Sequence, residues 1–376
     1  MEGLFEEFPA LSRAQWEAKV RKDLKTEDVS GIQDQLLFPG LIQPAYCDKD
    51  LRSDRLKQYR NITAHGDDGW QVARYWANVQ RIRGKDPQKL NEQALEALNG
   101  GADGIEWVTK TEAWSTVLSG ISLPHCLVAL DSDLANCEIF LGKLVERGED
   151  FQGYLVIDEL INCDTASLAD LVRHNPRNEQ FRCLSLRENS NCDSMQEISY
   201  LLTQAVAMLN ALMDEGCPLE LITSNFQVQV TLGDHYLWEM CRLRALRILF
   251  HQIMLQYGHS NYRASDLMIR AQTKVSPELG MLQNTTQAMS AILGGCNILC
   301  TMPHEEGSTS NMSARVARNV SHILREESHF HQVADPIAGS YYLESLVEQM
   351  CRHLWTNVQK IESSGGYRHA KQVAHG

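Results

Sequence analysis

The 376-residue chain predicts an α/β fold, a (β/α)8 TIM barrel with an N-terminal extended arm and a C-terminal helix. From about Trp70, short apolar runs alternate with helical stretches eight times, the pattern of a parallel sheet wrapped by helices. Several helical stretches end on glycine, at Gly100-Gly101, Gly148, Gly216, Gly258 and Gly294-Gly295, where a left-handed cap turns the chain into the next strand. A doubly wound open sheet wants a glycine-rich phosphate turn after its first strand, whereas AHGDDGW precedes that strand here.

Residues 1–69 form the arm. In FPALSRAQWEAKVRKDL, Ser12 stands where it can cap a short helix carrying Trp16, Val20 and Leu24. LLFPGLIQPAY follows, rich in proline and apolar side chains and too irregular for a strand. An exposed apolar extension is costly unless covered, so the arm is expected to lie on a partner chain.

The barrel is expected over residues 70–330. Its strands are QVARYWA (71–77), GIEWVT (104–109), HCLVALD (125–131), YLVIDE (154–159), RCLSLR (182–187), FQVQVTLG (226–233), DLMIRAQT (266–273) and NILCTMP (297–303). Among the helices between them, MQEISYLLTQAVAMLNALMDEG places Ile198, Leu201, Leu202, Ala205, Met208, Leu209 and Leu212 on one face. RVARNVSHILREES carries a stripe of Val316, Val320, Ile323 and Leu324. Residues 331–376 are expected to be a C-terminal helical extension, with a helix from Tyr341 to about Ser364, and no further domain is expected in GGYRHAKQVAHG.

Hydrophobic content of 43% and charged content of 22% are those of a soluble globular protein. A formal net charge of −13 argues against a broad basic face for nucleic acid or anionic membrane. No apolar run nears the ~20 residues of a membrane helix, and the acidic start MEGLFEEFPA is unlike a signal peptide, so a cytoplasmic setting is expected. The 11 cysteines contain no CxxC and read as buried free thiols.

In such a barrel the reactive face lies at the C-terminal ends of the strands. Candidates there are Asp131, Asp133, Asp158, Glu159, Arg187, Glu188, Asp234, His235, Gln272, Lys274, His304, Glu305 and Glu306. The plain alternative for each is a loop bond or a helix cap, and Asp234 fits the cap of a helix starting at Tyr236. Asp158-Glu159 and Glu305-Glu306 are weak carboxylate pairs, because neighbours along a strand point to opposite sides. His329 and His331 form a lone HxH without a third ligand, so no metal site is expected. No GxSxG, HExxH, P-loop or Rossmann fingerprint occurs.

Four separated segments carry a family likeness: RVARNVSHILREES with ADPIAGSYYLESL, TTQAMSAILGG, WEMCRLRALRILF, and the arm with its phenylalanine-proline, tryptophan-centred helix and KDL. Together they resemble the barrel domain of the adenosylcobalamin-dependent acyl-CoA mutases. The resemblance implies a barrel that threads a coenzyme A ester through its centre, capped by a separate C-terminal cobalamin-binding domain.

The departures from that family bear on function. Where its catalytic chains carry Gly-Tyr-His and then Glu-Ala-Gly, this chain reads CLSLRENSNCDSMQEISY. Ser185 stands where the family histidine would be and Glu188 keeps the glutamate, so no catalytic residue is expected. The family's tyrosine near the first strand finds no clear counterpart; Tyr75 is near, in surroundings that do not match. TMPHEEG replaces the pattern after the eighth strand, and no cobalamin-binding domain with its DxHxxG is expected. No cofactor is expected on this chain alone, with adenosylcobalamin implied through a partner. These losses match the small subunit of heterodimeric methylmalonyl-CoA mutases, paired with a catalytic large subunit. The alternatives are a stand-alone acyl-CoA-binding barrel, with Arg187, Gln272, Lys274 and His304 at its mouth, and the barrel half of a split mutase.

Overall fold

The computed structural model describes residues 12–25, 34–35, 41–42, 45–47, 50, 76–176, 180–187, 194–274, 280–303, 311–333 and 335–375. Its core is a parallel sheet of β1 (Ala77–Arg83), β2 (Gly104–Val108), β3 (Leu127–Ser132), β4 (Gln152–Ile157), β5 (Phe181–Arg182 with Leu184–Arg187), β6 (Phe226–Thr231), β7 (Met268–Gln272) and β8 (Ile298–Cys300). The first segment of β5 pairs with β4, the second pairs with β6, and the order between them runs β4-β3-β2-β1-β8-β7-β6. Because both sheet ends are parts of one strand, the sheet closes on itself as a barrel.

Alternation along the strands separates two apolar clusters. Ile105, Trp107, Val128, Leu130, Leu155, Leu184, Leu186, Val228, Val230 and Ile269 join the large cluster shared with the helices. Ala77, Val79, Leu127, Ala129, Tyr154, Val156, Met268 and Ile298 form a second, inside the barrel. The two segments of β5 are out of phase, since Cys183 and Leu184 in succession both belong to the helix-side cluster. One extra residue of this kind is what breaks a ladder.

All eight expected strands overlap the observed ones, the first only at Ala77. Residues 71–75 lie outside the described residues, and the strand runs on from Ala77 to Arg83. Its polar Asn78, Gln80 and Arg81 disguised it, and each is bonded to a neighbouring element.

The helices are α1 (Arg13–Leu24), α2 (Pro87–Asn99), α3 (Leu134–Glu146), α4 (Thr165–His174), α5 (Ser194–Asp214), α6 (Leu219–Asn225), α7 (Tyr236–Gln256), α8 (Gly280–Leu293), α9 (Asn311–His322), α10 (Tyr341–Ser363) and α11 (Gly366–His375). A single α-helical turn, Trp114–Val117, and a 3-10 turn, Leu123–His125, follow β2. Helix α11 was not anticipated; Tyr367 anchors it, edge-on to Tyr200 on α5 at 6.2 Å. All seven apolar residues expected on the inner face of α5 are buried.

In the arm, Ser12 and Gln15 form a capping box on α1. No residue of α1 is fully buried, and Leu24 is 51% exposed. The following segment is not wholly irregular, because Leu41–Ile42 pairs antiparallel with Asp34–Gln35. The arm returns to the barrel where Tyr46 packs edge-on against Tyr342 of α10 at 5.5 Å, and Arg13 reaches Asp50 at 3.1 Å.

Helix α9 latches the last unit onto the first. Trp76 Nε1 donates to Ser321 Oγ at 2.9 Å, Asn78 Nδ2 to the Arg318 carbonyl at 3.1 Å, and Arg318 Nε to the Gly100 carbonyl at 3.0 Å. Arg325 donates to the Trp76 carbonyl and to Asp103 while lying 5.3 Å over the Trp76 ring. Val320 and Leu324 are buried as expected, but Ile323 is 51% exposed. A π turn over Ile323–Glu327 shifts the phase of the stripe there. Arg244 on α7 holds Asp335 through two 2.8 Å bonds and Glu344 at 3.2 Å, which docks α10.

Gly153 sits at φ 155°, where an added Cβ would overlap the Val128 carbonyl oxygen. Gly153→Ala is expected to lower stability by about 2 kcal/mol or more, read as a fall in the urea unfolding midpoint.

Candidate functional site

The inward positions of the upper strands carry charge. Glu106 on β2 accepts from Arg270 Nη2 at 2.7 Å, Arg270 Nε at 2.8 Å and the Tyr154 hydroxyl at 2.7 Å, with Arg81 Nε 2.9 Å away. Glu106 and Tyr154 are 0% exposed and Arg270 is 2% exposed. These side chains come from β1, β2, β4 and β7 and meet inside the barrel, so they fill its axis.

A second tier lies toward the C-terminal mouth. Arg81 Nη2 and Arg187 Nη1 both bond Asp131, the latter at 3.0 Å, and Arg187 Nη2 bonds Asp158 at 2.8 Å. Gln272 Oε1 accepts from Arg81 Nη1 at 3.1 Å and Arg270 Nη1 at 2.9 Å. Three guanidiniums thus face Glu106, Asp131 and Asp158; Glu106 and Asp131 are buried and need the opposite charge, whereas Asp158 is half-exposed.

Burial opposes the charge on Glu106, but Arg270, Arg81 and the Tyr154 hydroxyl outweigh it and hold its carboxyl below the ordinary range. Burial pushes Asp131 above that range against the pull of Arg187 and Arg81. Burial and the adjoining Glu106 carboxylate push the Tyr154 phenol well up.

Arg187 and Gln272 are brought into one network, joined through Arg81 and Asp131. Lys274 is outside it, exposed past the end of β7, its backbone N–H donating to Gln287 Oε1 at 2.8 Å. His304, Glu188, Glu305, Glu306 and Tyr75 lie outside the described residues. Ser185 is buried in the wall, its Oγ donating to the Leu155 carbonyl and accepting from Gln227 Nε2 at 2.6 Å.

Asp133 caps α3 through the Asn136 N–H at 3.0 Å and pairs with Lys110 at 2.9 Å; Lys110 and the Asn136 bonds lower its pKa to about 2. Asp234 does not cap α7. His235 takes the cap position without a side-chain bond, and Asp234 is held by Gln283 and by Gln287 at 3.3 Å, because α8 presents two amide donors to it. His331 Nδ1 lies 2.7 Å from the Arg325 carbonyl. Among the described residues no group of three or more His, Cys, Asp or Glu could hold a metal ion.

Glu106, Arg81, Tyr154 and Arg270 were not singled out from the sequence. The available signal was phase: Glu106, Tyr154 and Arg270 each occupy an inward position in a largely apolar run, and a buried charge demands an opposite one.

A closed parallel barrel with a charged, occupied axis and an α9 latch is the class of α/β barrel that these elements define. The family model described as Methylmalonyl-CoA mutase matches residues 184–376, and the chain belongs to that family. The chain is 26% identical, over 99% of its length, to the methylmalonyl-CoA mutase small subunit of Porphyromonas gingivalis, covering 66% of it. Against the small subunit of Streptomyces virginiae it is 28% identical over 96% of its length, covering 65%. Against methylmalonyl-CoA mutase of Cereibacter sphaeroides it is 29% identical over 56% of its length, covering 31%. The chain therefore spans just under two thirds of the length of those two small subunits.

The mutase family is cobalamin-dependent. The Arg187 and Arg81 guanidiniums at the mouth are bonded to Asp131 and Asp158, and Glu106, Arg270 and Tyr154 occupy the axis below.

Glu106→Gln leaves Arg81 and Arg270 without their shared carboxylate and is expected to cost about 3–5 kcal/mol in denaturant unfolding. The folded-state pKa of Glu106 is lowered, so its stabilisation is complete above the ordinary carboxylate range and is lost as pH falls through the lowered value. The variant should therefore show a shallower acid limb than the parent.

Proposed function

We propose that the chain is the small, non-catalytic subunit of a heterodimeric, adenosylcobalamin-dependent methylmalonyl-CoA mutase, which interconverts methylmalonyl-CoA and succinyl-CoA through its large subunit. The occupied axis carries this reading. A coenzyme A ester threading the barrel would have to displace the Glu106–Arg270 pair, and separating one partner from a buried pair costs about 3–5 kcal/mol. A stand-alone ester-binding barrel would also have to free Arg187 from Asp131 and Asp158.

The arm supports a role in assembly. Helix α1 buries none of its residues against its own barrel, yet Tyr46 and the Arg13–Asp50 pair tether it near α10. The exposed Leu24 and the half-buried Trp16 and Val20 then offer an apolar edge to the catalytic large subunit. Among the described residues seven cysteines are buried and free, which suits the reducing cytoplasm.

Size-exclusion chromatography of the chain with a catalytic large subunit should give one complex, with turnover confined to preparations containing the large chain. Trp16→Ala should weaken that complex by about tenfold or more while leaving the unfolding midpoint of the isolated chain unchanged. Turnover by the isolated chain with added cofactor would contradict the proposal.

A further inference from the structure

We propose that a cavity between α5 and the junction of α10 with α11 binds a small organic cation, an aliphatic diamine. None of the residues lining it belongs to a strand, so the site is separate from the barrel axis and does not rest on the mutase reading.

The cavity follows from the second face of α5. The core-facing side of that helix carries its large apolar residues, whereas Val206, Ala207, Asn210 and Ala211 form another stripe at helical spacing, with mostly short side chains. Gly365 and Gly366, at φ 109° and 77°, turn α10 into α11 beside that stripe. Helix α11 is then held in place: Tyr367 meets Tyr200 of α5 at 6.2 Å, and Arg368 donates to the Ile161 carbonyl at 3.1 Å. The short side chains leave a space of about 470 Å3, within the range of roughly 300–1,000 Å3 that small-molecule sites occupy.

The lining sets the charge of the ligand. Asp214, Glu215 and Glu362 border the cavity, and none of their carboxylates has an ion-pair partner among the described residues. Partial burial pushes the Glu362 carboxyl above its ordinary range, and its charge bears on Tyr257, whose hydroxyl bonds Asn210 of the stripe at 2.7 Å. Three carboxylates against the single Arg368 guanidinium favour a cation over an anion. No group of three or more such residues among those described could hold a metal ion, so the positive charge has to arrive on a larger body. The buried Tyr367 and Val206 give methylene groups apolar surface to lie on, and an aromatic face also attracts an ammonium. Glu362 comes from α10 and Asp214 from α5, which asks for charge at two points of the ligand.

Isothermal titration of the full chain with 1,4-diaminobutane should give saturable binding, and saturating diamine should raise the unfolding midpoint. The equally long but uncharged 1,4-butanediol should do neither. Glu362→Gln should weaken diamine binding by about tenfold, since a charge-assisted bond is lost. Ala211→Leu keeps every charge and fills the cavity, and should abolish binding. The absence of saturable heat with the parent chain would overturn the site. So would binding that survives either substitution unchanged, because it would then be general attraction to a chain of net charge −13.

Discussion

The ion pair between Glu106 and Arg270 is the constraint around which the barrel is arranged. A charge at the centre of a parallel barrel is tolerable only with an opposite charge and full hydrogen bonding. Arg270 supplies two bonds and Tyr154 a third, while Arg81 adds a second positive charge. That surplus is carried upward to Asp131, then through Arg187 to Asp158 at the mouth. Strand alternation alone aims these groups inward, so the network follows from the register of β1, β2, β4 and β7.

The segments that carry the family likeness have mechanical work in this chain. Ser321 and Arg325 of the α9 region fasten the last helical unit to Trp76, and Arg318 reaches the end of α2. An added Cβ on Gly100 would meet the Arg318 guanidinium, the movable end of that side chain. Arg244, Asp335 and Glu344 seat α10 across α7, and Arg242 bridges Glu239 and Glu197 to seat α5. None of these contacts involves the axis. A chain can therefore keep the family's barrel and its closing latch while its centre fills.

Much of the fold was legible because its signals are local. Periodicity placed α5, glycine caps placed the turns, and Ser12 announced α1. The first strand was misplaced because its polar side chains are satisfied by α9 and β3, partners far away in the chain. The cap assigned to Asp234 failed for the same reason, since two glutamines of α8 compete for it. The mouth candidates Arg187 and Gln272 could be named from strand ends. That they are tied down rather than open to a ligand depends on Arg81 and Asp131, which no local pattern links to them. The filling of the axis likewise needs the register of several strands at once.

The most direct measurement is isothermal titration of the isolated chain with methylmalonyl-CoA. An axis occupied by Glu106, Arg270 and Tyr154 predicts no saturable heat. Saturable binding that disappears in Arg187→Ala would contradict the closed axis and return the barrel mouth to the role of a ligand site.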